Sequence, residues 1–439
     1  MDLIMFGMNN FSRWFEKETF NRNAYILKNL LEDKRIGKIL YIDLLPRTIE
    51  QGIKSYIKNQ VLGSREKIIY RNFFSICRQI KSASFLNISK GFFIYSTVDS
   101  VFREEIMIKK IKKLLKKLEF KNIILWSCNP MFCEYFGKLG EKISCFDTID
   151  NWIEYPAYGN QKQRLEKNYK LIKEKANIIF TVSQKLIDLF FQDRKNVYCV
   201  PQGIDLSRFQ KELICPEDIK KISHPIVGCV GVINNRLDFD LISKVIEKNR
   251  DLNFVFIGPI WQDKSSTFLQ NIKILQKKFH STSLSKQKWQ CFHPCKIFWK
   301  VLDKFVKSEI KKLSCFNNAY FLGPKHFNEV PAYINQFDVC FTFYKVNLST
   351  KCGDSMKMCE YLVLGKPIIA TNTGGAKKFS NLIEIVNNEE EFNIALKKCL
   401  IEKDVRQLAD KIKRIEEVKK YEWKKLVRGM LDKIDKVNR

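Results

Sequence analysis

The order of predicted strands and helices constrains the fold of this 439-residue chain more than any other feature. Short runs of β-branched and aromatic residues alternate with longer segments whose apolar residues recur at helical spacing. This order is typical of α/β proteins, in which helices connect the strands of parallel sheets. Because the chain is longer than one hydrophobic core usually supports, we expect two such domains.

Two series of predicted strands are separated by a polar stretch. The first series is LIMFG, KILYID, GFFIYS, NIILWS, EKISCFD and NIIFTVS, and the second is PIVGCVGVI, NFVFIG, AYFLG, VCFTFY, KPIIAT and LIEIV. Between them lies VPQGIDLSRFQKELICPEDIKKISHP, whose proline and glycine suit a linker. We therefore predict a first domain over 1–200, a linker over 201–224 and a second domain over 225–415.

The formal charge of +29 favours polyanionic partners: nucleic acid, an anionic membrane surface or phosphorylated substrates. Sixty of the 77 basic residues are lysines, whereas nucleic-acid readers rely on arginine, and common nucleic-acid-binding patterns do not occur. A nucleic-acid partner is therefore disfavoured. The segment 264–316 carries twelve lysines against two acidic residues, and we predict it to be a basic helical insertion in the second domain.

Composition also predicts a cytoplasmic protein. No stretch approaches the roughly 18 apolar residues of a membrane span, and the start MDLIMFGMNNF lacks the basic region of a signal peptide. The fourteen cysteines are mostly scattered singly through apolar segments, which is typical of reduced, buried thiols.

One acidic residue, Glu360, falls within a short apolar helix pattern. We predict this helix over 356–364, with Asp354 and Ser355 as its caps. Its N-terminus, together with Lys357 in the first turn, suits a diphosphate. Glu360 lies about one turn further on, where a carboxylate can accept hydrogen bonds from the vicinal diol of a ribose. The alternative interpretation is a solvated helix residue.

Two loops at predicted strand ends favour the nucleotide interpretation. One strand ends near Gly231 and turns through two asparagines to Arg236, where open α/β sheets bind ligands. Gly374 and Gly375 follow KPIIA, and glycine lets backbone approach phosphate closely. Together with the Glu360 helix, these loops predict a nucleotide site.

The chain resembles glycosyltransferases of the GT-B fold, of the family 4 type that acts in bacterial polysaccharide and glycolipid synthesis. The matching stretches are FDTIDNWIEYP, KANIIFTVSQKL, VYCVPQGIDLSRF, PIVGCVGVINNRLDFDLI, NFVFIGPI, AYFLGPKHFNEVPAYINQFDVCFTFY and KMCEYLVLGKPIIAT. The resemblance implies two Rossmann-like parallel-sheet domains that face a cleft. It also implies a closing helix, over 416–439, that crosses back onto the first domain.

The resemblance further implies transfer of a sugar from a nucleotide-sugar donor to a polysaccharide or lipid-linked acceptor, with retention of configuration. No metal and no cofactor are expected, so basic groups and helix dipoles must stabilise the departing diphosphate. In this family the residue matching Glu360 holds the ribose, and Arg236 matches a basic residue at the diphosphate. Lys357 is the expected second cation, and Gly374 and Gly375 match a loop facing the same pocket.

The sequence departs from the family pattern at Cys352. Many relatives carry a glutamate there that contacts the donor sugar, and Asp354 is the nearby candidate to replace it. This departure leaves the sugar contact open.

The first domain is expected to contact the acceptor. All four histidines lie at or after the end of the linker, so a histidine base from the first domain is excluded. We predict that Asp150 faces the cleft and orients the acceptor, although it could equally cap a loop. Asn10 and Arg22 are the further candidates on the acceptor side.

Two rival functions stay open on the sequence alone. A nucleotide-sugar epimerase shares the two-domain architecture, and a non-catalytic nucleic-acid or membrane-binding protein would also explain the charge. The preferred hypothesis is a cytoplasmic glycosyltransferase that associates peripherally with the inner membrane face through its lysines.

Overall fold

The fold was analysed in a computed structural model, which describes residues 1–8, 11, 21–43, 67–72, 75–80, 91–97, 104–155, 161–260, 306–401 and 405–438. Two sheets organise these residues. We call the part of the chain around the first sheet the first domain and the part around the second sheet the second domain.

Within the described residues, the first sheet has nine strands in the order β3-β4-β5-β2-β1-β6-β7-β8-β9. Strands β3 and β4 form an antiparallel edge on β5, and the remaining pairs are parallel. The strands are β1 Asp2–Phe6, β2 Ile39–Ile42, β3 Ile68–Asn72, β4 Ser75–Ile80, β5 Phe92–Thr97, β6 Ile123–Ser127, β7 Ile143–Thr148, β8 Ile178–Thr181 and β9 Val197–Cys199.

The six strands predicted in the first half are confirmed, and β3, β4 and β9 were not predicted. Among the described residues, four helices cover the sheet: α1 Arg22–Glu32, α2 Glu104–Lys117, α3 Lys162–Lys175 and α4 Gln184–Phe190. The start of α1 follows from Asn21, whose side-chain oxygen accepts a hydrogen bond of 3.1 Å from the backbone N–H of Ala24. Its apolar residues, Tyr25, Ile26, Leu27 and Leu30, are buried in the core against the sheet.

The second sheet has six parallel strands among the described residues, in the order β12-β11-β10-β13-β14-β15. All six predicted strands are confirmed: β10 Ile226–Val230, β11 Asn253–Ile257, β12 Ala319–Gly323, β13 Val339–Thr342, β14 Ile368–Thr371 and β15 Glu384–Val386. The strand order reverses at β10, which lies between β11 and β13. Open sheets of this kind bind ligands beyond the carboxyl ends of the strands at such a reversal.

Helices cover this second sheet and close the chain. They are α5 Phe239–Lys248, α6 306–313, α7 Val330–Asn335, α8 Leu348–Cys352, α9 Met356–Val363, α10 Gly374–Lys377, α11 Glu389–Ile401, α12 Val405–Val418 and α13 Trp423–Val437. Most of the predicted basic insertion, 264–305, lies outside the described residues, and its last part contains α6. No described helix is long and apolar enough to span a membrane.

In the part of the chain that the structure describes, the backbone crosses between the domains near Ile204 and again near Tyr421, and these two crossings are hydrogen-bonded to each other. The backbone N–H of Ile204 donates to the carbonyl of Tyr421 at 2.9 Å, and the N–H of Trp423 donates to the carbonyl of Ile204 at 3.0 Å. A Cβ atom at Gly203 would lie 2.7 Å from the Tyr421 carbonyl oxygen, so this approach requires glycine.

Helix α13 returns to the first domain, as the fold prediction states. The ring of Trp423 stacks on that of Tyr25 in α1, with centroids 5.5 Å apart. Val427, Met430, Leu431 and Ile434 belong to the same buried core as α1. The limits of the domains, linker and closing segment stay predictions.

Candidate functional site

The carboxyl edges of the two sheets meet at Asp150 and Arg236. Asp150 follows β7, Arg236 follows β10, and Asp150 Oδ1 lies 3.9 Å from Arg236 Nη2. The two side chains keep 15% and 34% of their exposure, so both are partly open to solvent. This is the position at which open α/β sheets bind their ligands.

The loop around Asp150 is fixed by its backbone. Its carbonyl accepts hydrogen bonds from Thr148 Oγ1 at 3.2 Å and from the Tyr169 hydroxyl at 3.3 Å. Burial raises the pKa of the Asp150 carboxyl, and Arg236 opposes that shift only in part. Asp150 is therefore a carboxyl group that holds a proton more readily than an exposed aspartate does.

Hydrogen bonds fix the backbone of Arg236, whereas part of its guanidinium has no hydrogen-bond partner among the described residues. The Asn234 side chain accepts from the Arg236 N–H at 3.0 Å, and the Arg236 carbonyl accepts from Lys345 at 2.9 Å. Within the described part of the chain, the buried Nε of Arg236 has no hydrogen-bond partner. The anchored loop thus presents a cation that has hydrogen-bonding capacity to spare.

Lys357 supplies a second cation at the carboxyl end of β10. A Cβ atom at Gly231 would lie 2.6 Å from Lys357 Nζ, so the ammonium rests directly on this glycine. Gly231 has φ of 131°, a conformation that favours glycine. The Tyr344 ring centroid lies 5.1 Å from Lys357 Nζ and 5.8 Å from Arg236 Cζ. Tyr344 therefore has a cation–π contact with each of the two cations.

A pocket that is partly open to solvent lies beside Arg236 and Tyr344. Its lining includes backbone of α10 and of the loop before α9: Arg236, Tyr344, Thr350, Gly353, Asp354, Ser355, Thr373 and Gly375.

Asp354 lines this pocket, but its charge is already neutralised. Its Oδ2 accepts hydrogen bonds from Lys378 Nζ at 2.6 Å and from the backbone N–H of Gln202 at 2.8 Å. The side chain of Asp354 keeps 2% exposure, and that of Lys378 keeps 16%. Asp354 therefore ties the pocket to the first crossing between the domains.

Gly374 and Gly375 allow two backbone segments to pack closely against each other. A Cβ atom at Gly374 would lie 2.5 Å from the Lys351 carbonyl oxygen, and one at Gly375 would lie 2.9 Å from the Ser355 nitrogen. The start of α10 is thus pressed against the loop that precedes α9. Gly375 also borders the pocket, at the position predicted for approach to phosphate.

The structure confirms the Glu360 helix as α9, with Ser355 as N-cap residue, although no side chain caps it. Glu360 Oε1 lies 2.7 Å from Arg208 Nη1, and the two side chains keep 14% and 6% exposure. The alternative of a solvated helix residue is wrong, because Glu360 is largely buried in an ion pair.

Cys352, where the family pattern has glutamate, lies at a contact between the domains. Its carbonyl accepts a hydrogen bond of 2.6 Å from Ser183 Oγ. Its side chain has no exposure and packs with Val182 and Leu186 of the first domain. In this arrangement Cys352 joins the domains and presents no polar group to the pocket.

The expectation that Arg22 lines the cleft is corrected. Its side chain has no exposure and donates from Nε and Nη2 to the Asp147 carboxylate at 2.9–3.1 Å. Its Nη1 donates to the Pro201 carbonyl at 3.0 Å. The charge of Arg22 is therefore satisfied in the interior. The other acceptor-side candidate, Asn10, lies outside the described residues.

Three site residues were not predicted: Arg208, Tyr344 and Lys378. Arg208 and Tyr344 lie in stretches that the resemblance marked, and Lys378 follows the loop of Gly374 and Gly375, but no local spacing indicated the partner of any of the three. Among the described residues, no group of three or more His, Cys, Asp or Glu side chains could hold a metal ion.

Comparison with known proteins places this geometry in a known fold. No protein-family model matches the chain. A Bacillus subtilis (strain 168) protein, TuaH, named as a teichuronic acid biosynthesis glycosyltransferase, is 20% identical over 187 residues. That alignment covers 42% of this chain and only 36% of TuaH.

Solved structures match over the whole chain. HepE of Anabaena, in complex with UDP, has a TM-score of 0.62 at 11% identity and covers 99% of both chains. Trehalose-6-phosphate synthase, OtsA, has a TM-score of 0.62 at 10% identity with the same coverage. Both have the GT-B fold. The chain therefore has the GT-B fold that its sequence predicted.

Proposed function

We propose that the protein is a glycosyltransferase that moves a sugar from a nucleotide-sugar donor to a polysaccharide or lipid-linked acceptor. The observation that carries this proposal is the pair of cations, Arg236 and Lys357, at the carboxyl end of β10. Arg236 and Tyr344 line a pocket, Lys357 lies against the Tyr344 ring, and the largely buried Glu360 is on the same short helix as Lys357. HepE and OtsA, which share the fold, have been solved with UDP, UDP-glucose or a UDP-glucose analogue.

In this proposal the diphosphate binds at Arg236 and Lys357, and the ribose binds at Glu360. Arg236 offers a fork of donors suited to phosphate oxygens, and Lys357 offers a point charge. The free N–H groups at the start of α9 add a partial positive charge. These groups would stabilise the departing nucleoside diphosphate without a metal ion, so we propose metal-independent transfer.

We further propose that transfer occurs with retention and that Asp150 orients the acceptor hydroxyl. The bond between the sugar C1 and the diphosphate oxygen breaks, and the acceptor oxygen bonds to C1 from the same face. The acceptor proton passes to the leaving phosphate oxygen. Asp150, across the cleft from Arg236, would hold the hydroxyl near that oxygen.

The charge of +29 supports peripheral binding to an anionic membrane surface on the cytoplasmic side. Each lysine near such a surface contributes roughly 1 kcal/mol of attraction. A lipid-linked acceptor would be met at that surface.

Calorimetric titration with UDP-, GDP- and ADP-sugars tests the donor site. We expect one of these donors to bind the wild type, and Lys357→Met and Glu360→Ala to weaken it. Lys413→Met, on the exposed face of α12, is a control that should bind like wild type. Failure of all three donors to bind would refute the proposal.

Donor conversion and salt-dependent binding are measured separately to distinguish the rival functions. An epimerase would convert the donor without any acceptor. A non-catalytic binding protein would bind DNA or vesicles in a strongly salt-dependent way and would bind no nucleotide-sugar.

A further inference from the structure

Arg208 and Glu360 form an ion pair between two distant segments of the chain. Arg208 lies in the short 3-10 turn Leu206–Phe209, just after the first crossing between the domains. Glu360 lies on α9, 152 residues further along. Arg208 Nη1 donates to Glu360 Oε1 at 2.7 Å, and both side chains are largely buried.

The guanidinium of Arg208 is fixed by more than this ion pair. Its Nη2 donates to the Phe327 carbonyl at 2.7 Å, and its Cζ lies 3.4 Å from the centroid of the Phe327 ring. A second ring, that of Phe209, lies 5.3 Å away. Because a guanidinium is planar, contact with one ring face and two acceptors leaves it a single orientation. A lysine at this position has no planar group that could stack on the Phe327 ring.

The ion pair engages only part of the Glu360 carboxylate. An ionised carboxylate has two oxygens and about four lone-pair positions. Arg208 uses one of these oxygens, and Glu360 Oε2 has no hydrogen-bond partner among the described residues. Arg208 therefore orients Glu360 while leaving it able to accept hydrogen bonds from a diol.

Arg208 also connects this carboxylate to the first domain. Burial raises the pKa of the Tyr25 hydroxyl, on α1, and the nearby positive charge of Arg208 opposes that shift. The Tyr25 ring is itself stacked on Trp423 at the start of α13. Arg208, which orients Glu360, thus lies close to the junction of the two domains.

We propose that Arg208 is a positioning residue that holds the Glu360 carboxylate for the ribose 2′- and 3′-hydroxyls of the donor. This inference rests on the proposed function, since it assumes a nucleotide at this site. In this role Arg208 acts through Glu360 and does not itself contact the reacting atoms. Its loss should therefore weaken recognition of the ribose hydroxyls more than recognition of the diphosphate.

The test compares nucleoside diphosphates with their 2′-deoxy forms by calorimetry. The probes are UDP and 2′-deoxy-UDP, GDP and 2′-deoxy-GDP, and ADP and 2′-deoxy-ADP. We expect wild type to prefer the ribose form of its nucleotide by about tenfold or more, the usual effect of a hydrogen bond to a charged group. Glu360→Gln, Arg208→Gln and Arg208→Lys should each lose most of this preference, with 2′-deoxy affinity changed by less than about threefold.

Arg414→Gln is the matched control. Arg414 also lies partly buried in the second domain and donates to two carbonyls, those of Leu382 and Gly365. Its loss should lower thermal stability and leave the ribose preference unchanged. Arg208→Lys keeps the charge, so it tests the role of the planar group even where Arg208→Gln fails to fold.

The possible outcomes distinguish the two proposals. If Glu360→Gln loses the preference and both Arg208 variants keep it, the positioning role is refuted and the donor site stands. If wild type binds a nucleotide with no ribose preference, the positioning role is refuted as well. If wild type binds none of the probes, the proposed function itself fails.

Discussion

Asp150 and Arg236 belong to different domains, and 3.9 Å separates the carboxylate oxygen Oδ1 of the first from Nη2 of the second. The contact lies at the carboxyl ends of β7 and β10, where we propose that acceptor and donor meet. A diphosphate bound to Arg236 would compete with Asp150 for the guanidinium. Donor binding would then leave Asp150 available to the acceptor.

Asp150→Asn should make the protein more stable at neutral pH and less active. Because burial raises the pKa of Asp150 in the folded state, folding favours its protonated form. The ionised carboxylate therefore costs stability, and this cost appears as pH rises from the unfolded pKa through the folded one. Asparagine removes that pH dependence. Thermal unfolding at pH 4 and pH 7 measures it, with Asp188→Asn on the surface of α4 as control.

Transfer by Asp150→Asn should fall by roughly a hundredfold if this group orients the acceptor. Donor affinity, measured by calorimetry, should stay the same or rise, because Arg236 loses its competitor. Full transfer activity in this variant would rule out the orienting role.

Gly231→Ala should weaken binding of nucleoside diphosphate by about tenfold and leave binding of the monophosphate nearly unchanged. The added methyl group would meet Lys357 Nζ at 2.6 Å and displace the ammonium. Gly140→Ala is the matched control, since Gly140 also has a positive φ, 79°, but has open space around its Cβ position. Equal effects of both variants on the ratio of UDP to UMP affinity would contradict this account.

The buried ion pair of Arg22 and Asp147 should matter for stability. Asp147→Asn leaves a buried guanidinium without its counter-charge, which costs about 3–5 kcal/mol of unfolding free energy. The double variant Arg22→Met, Asp147→Asn should lose less than the sum of the single variants. Urea denaturation of the four proteins measures this coupling. Additive losses would show that the two groups do not act as a pair.

Cys352→Glu should separate the domains. Its carboxylate would be buried against Val182 and Leu186, and burying an unpaired charge is strongly unfavourable. We expect a larger radius of gyration in small-angle X-ray scattering. Cys352→Ala, which adds no charge, should scatter like wild type. An unchanged profile for the glutamate variant would mean that Cys352 does not hold the domains together.

The strand pattern predicted most of the fold because parallel strands are continuous apolar runs. Strand β3, Ile68–Asn72, and strand β4, Ser75–Ile80, were missed because each mixes apolar residues with arginine at the edge of the sheet. Strand β9 has only three residues, too few for a pattern.

The sequence predicted candidate site residues whose neighbours lie in the same short segment. It missed those whose partners lie far away along the chain. Lys357 and Glu360 share one helix, so spacing alone related them to each other. Arg208 reaches Glu360 across 152 residues, and Arg22 reaches Asp147 across 125. Nothing in the spacing distinguishes an arginine that faces solvent from one that has a buried carboxylate as partner.

The return of α13 to the first domain has a consequence for synthesis of the chain. The apolar face of α1 is covered by Trp423, Val427 and their neighbours, which are translated only after the whole second domain. During translation, the apolar face of α1 in the first domain therefore stays uncovered until α13 is made, and chaperones can bind it in that interval. If the second domain were exchanged between genes, α13 would have to stay with its original first domain, because it covers part of that domain's core.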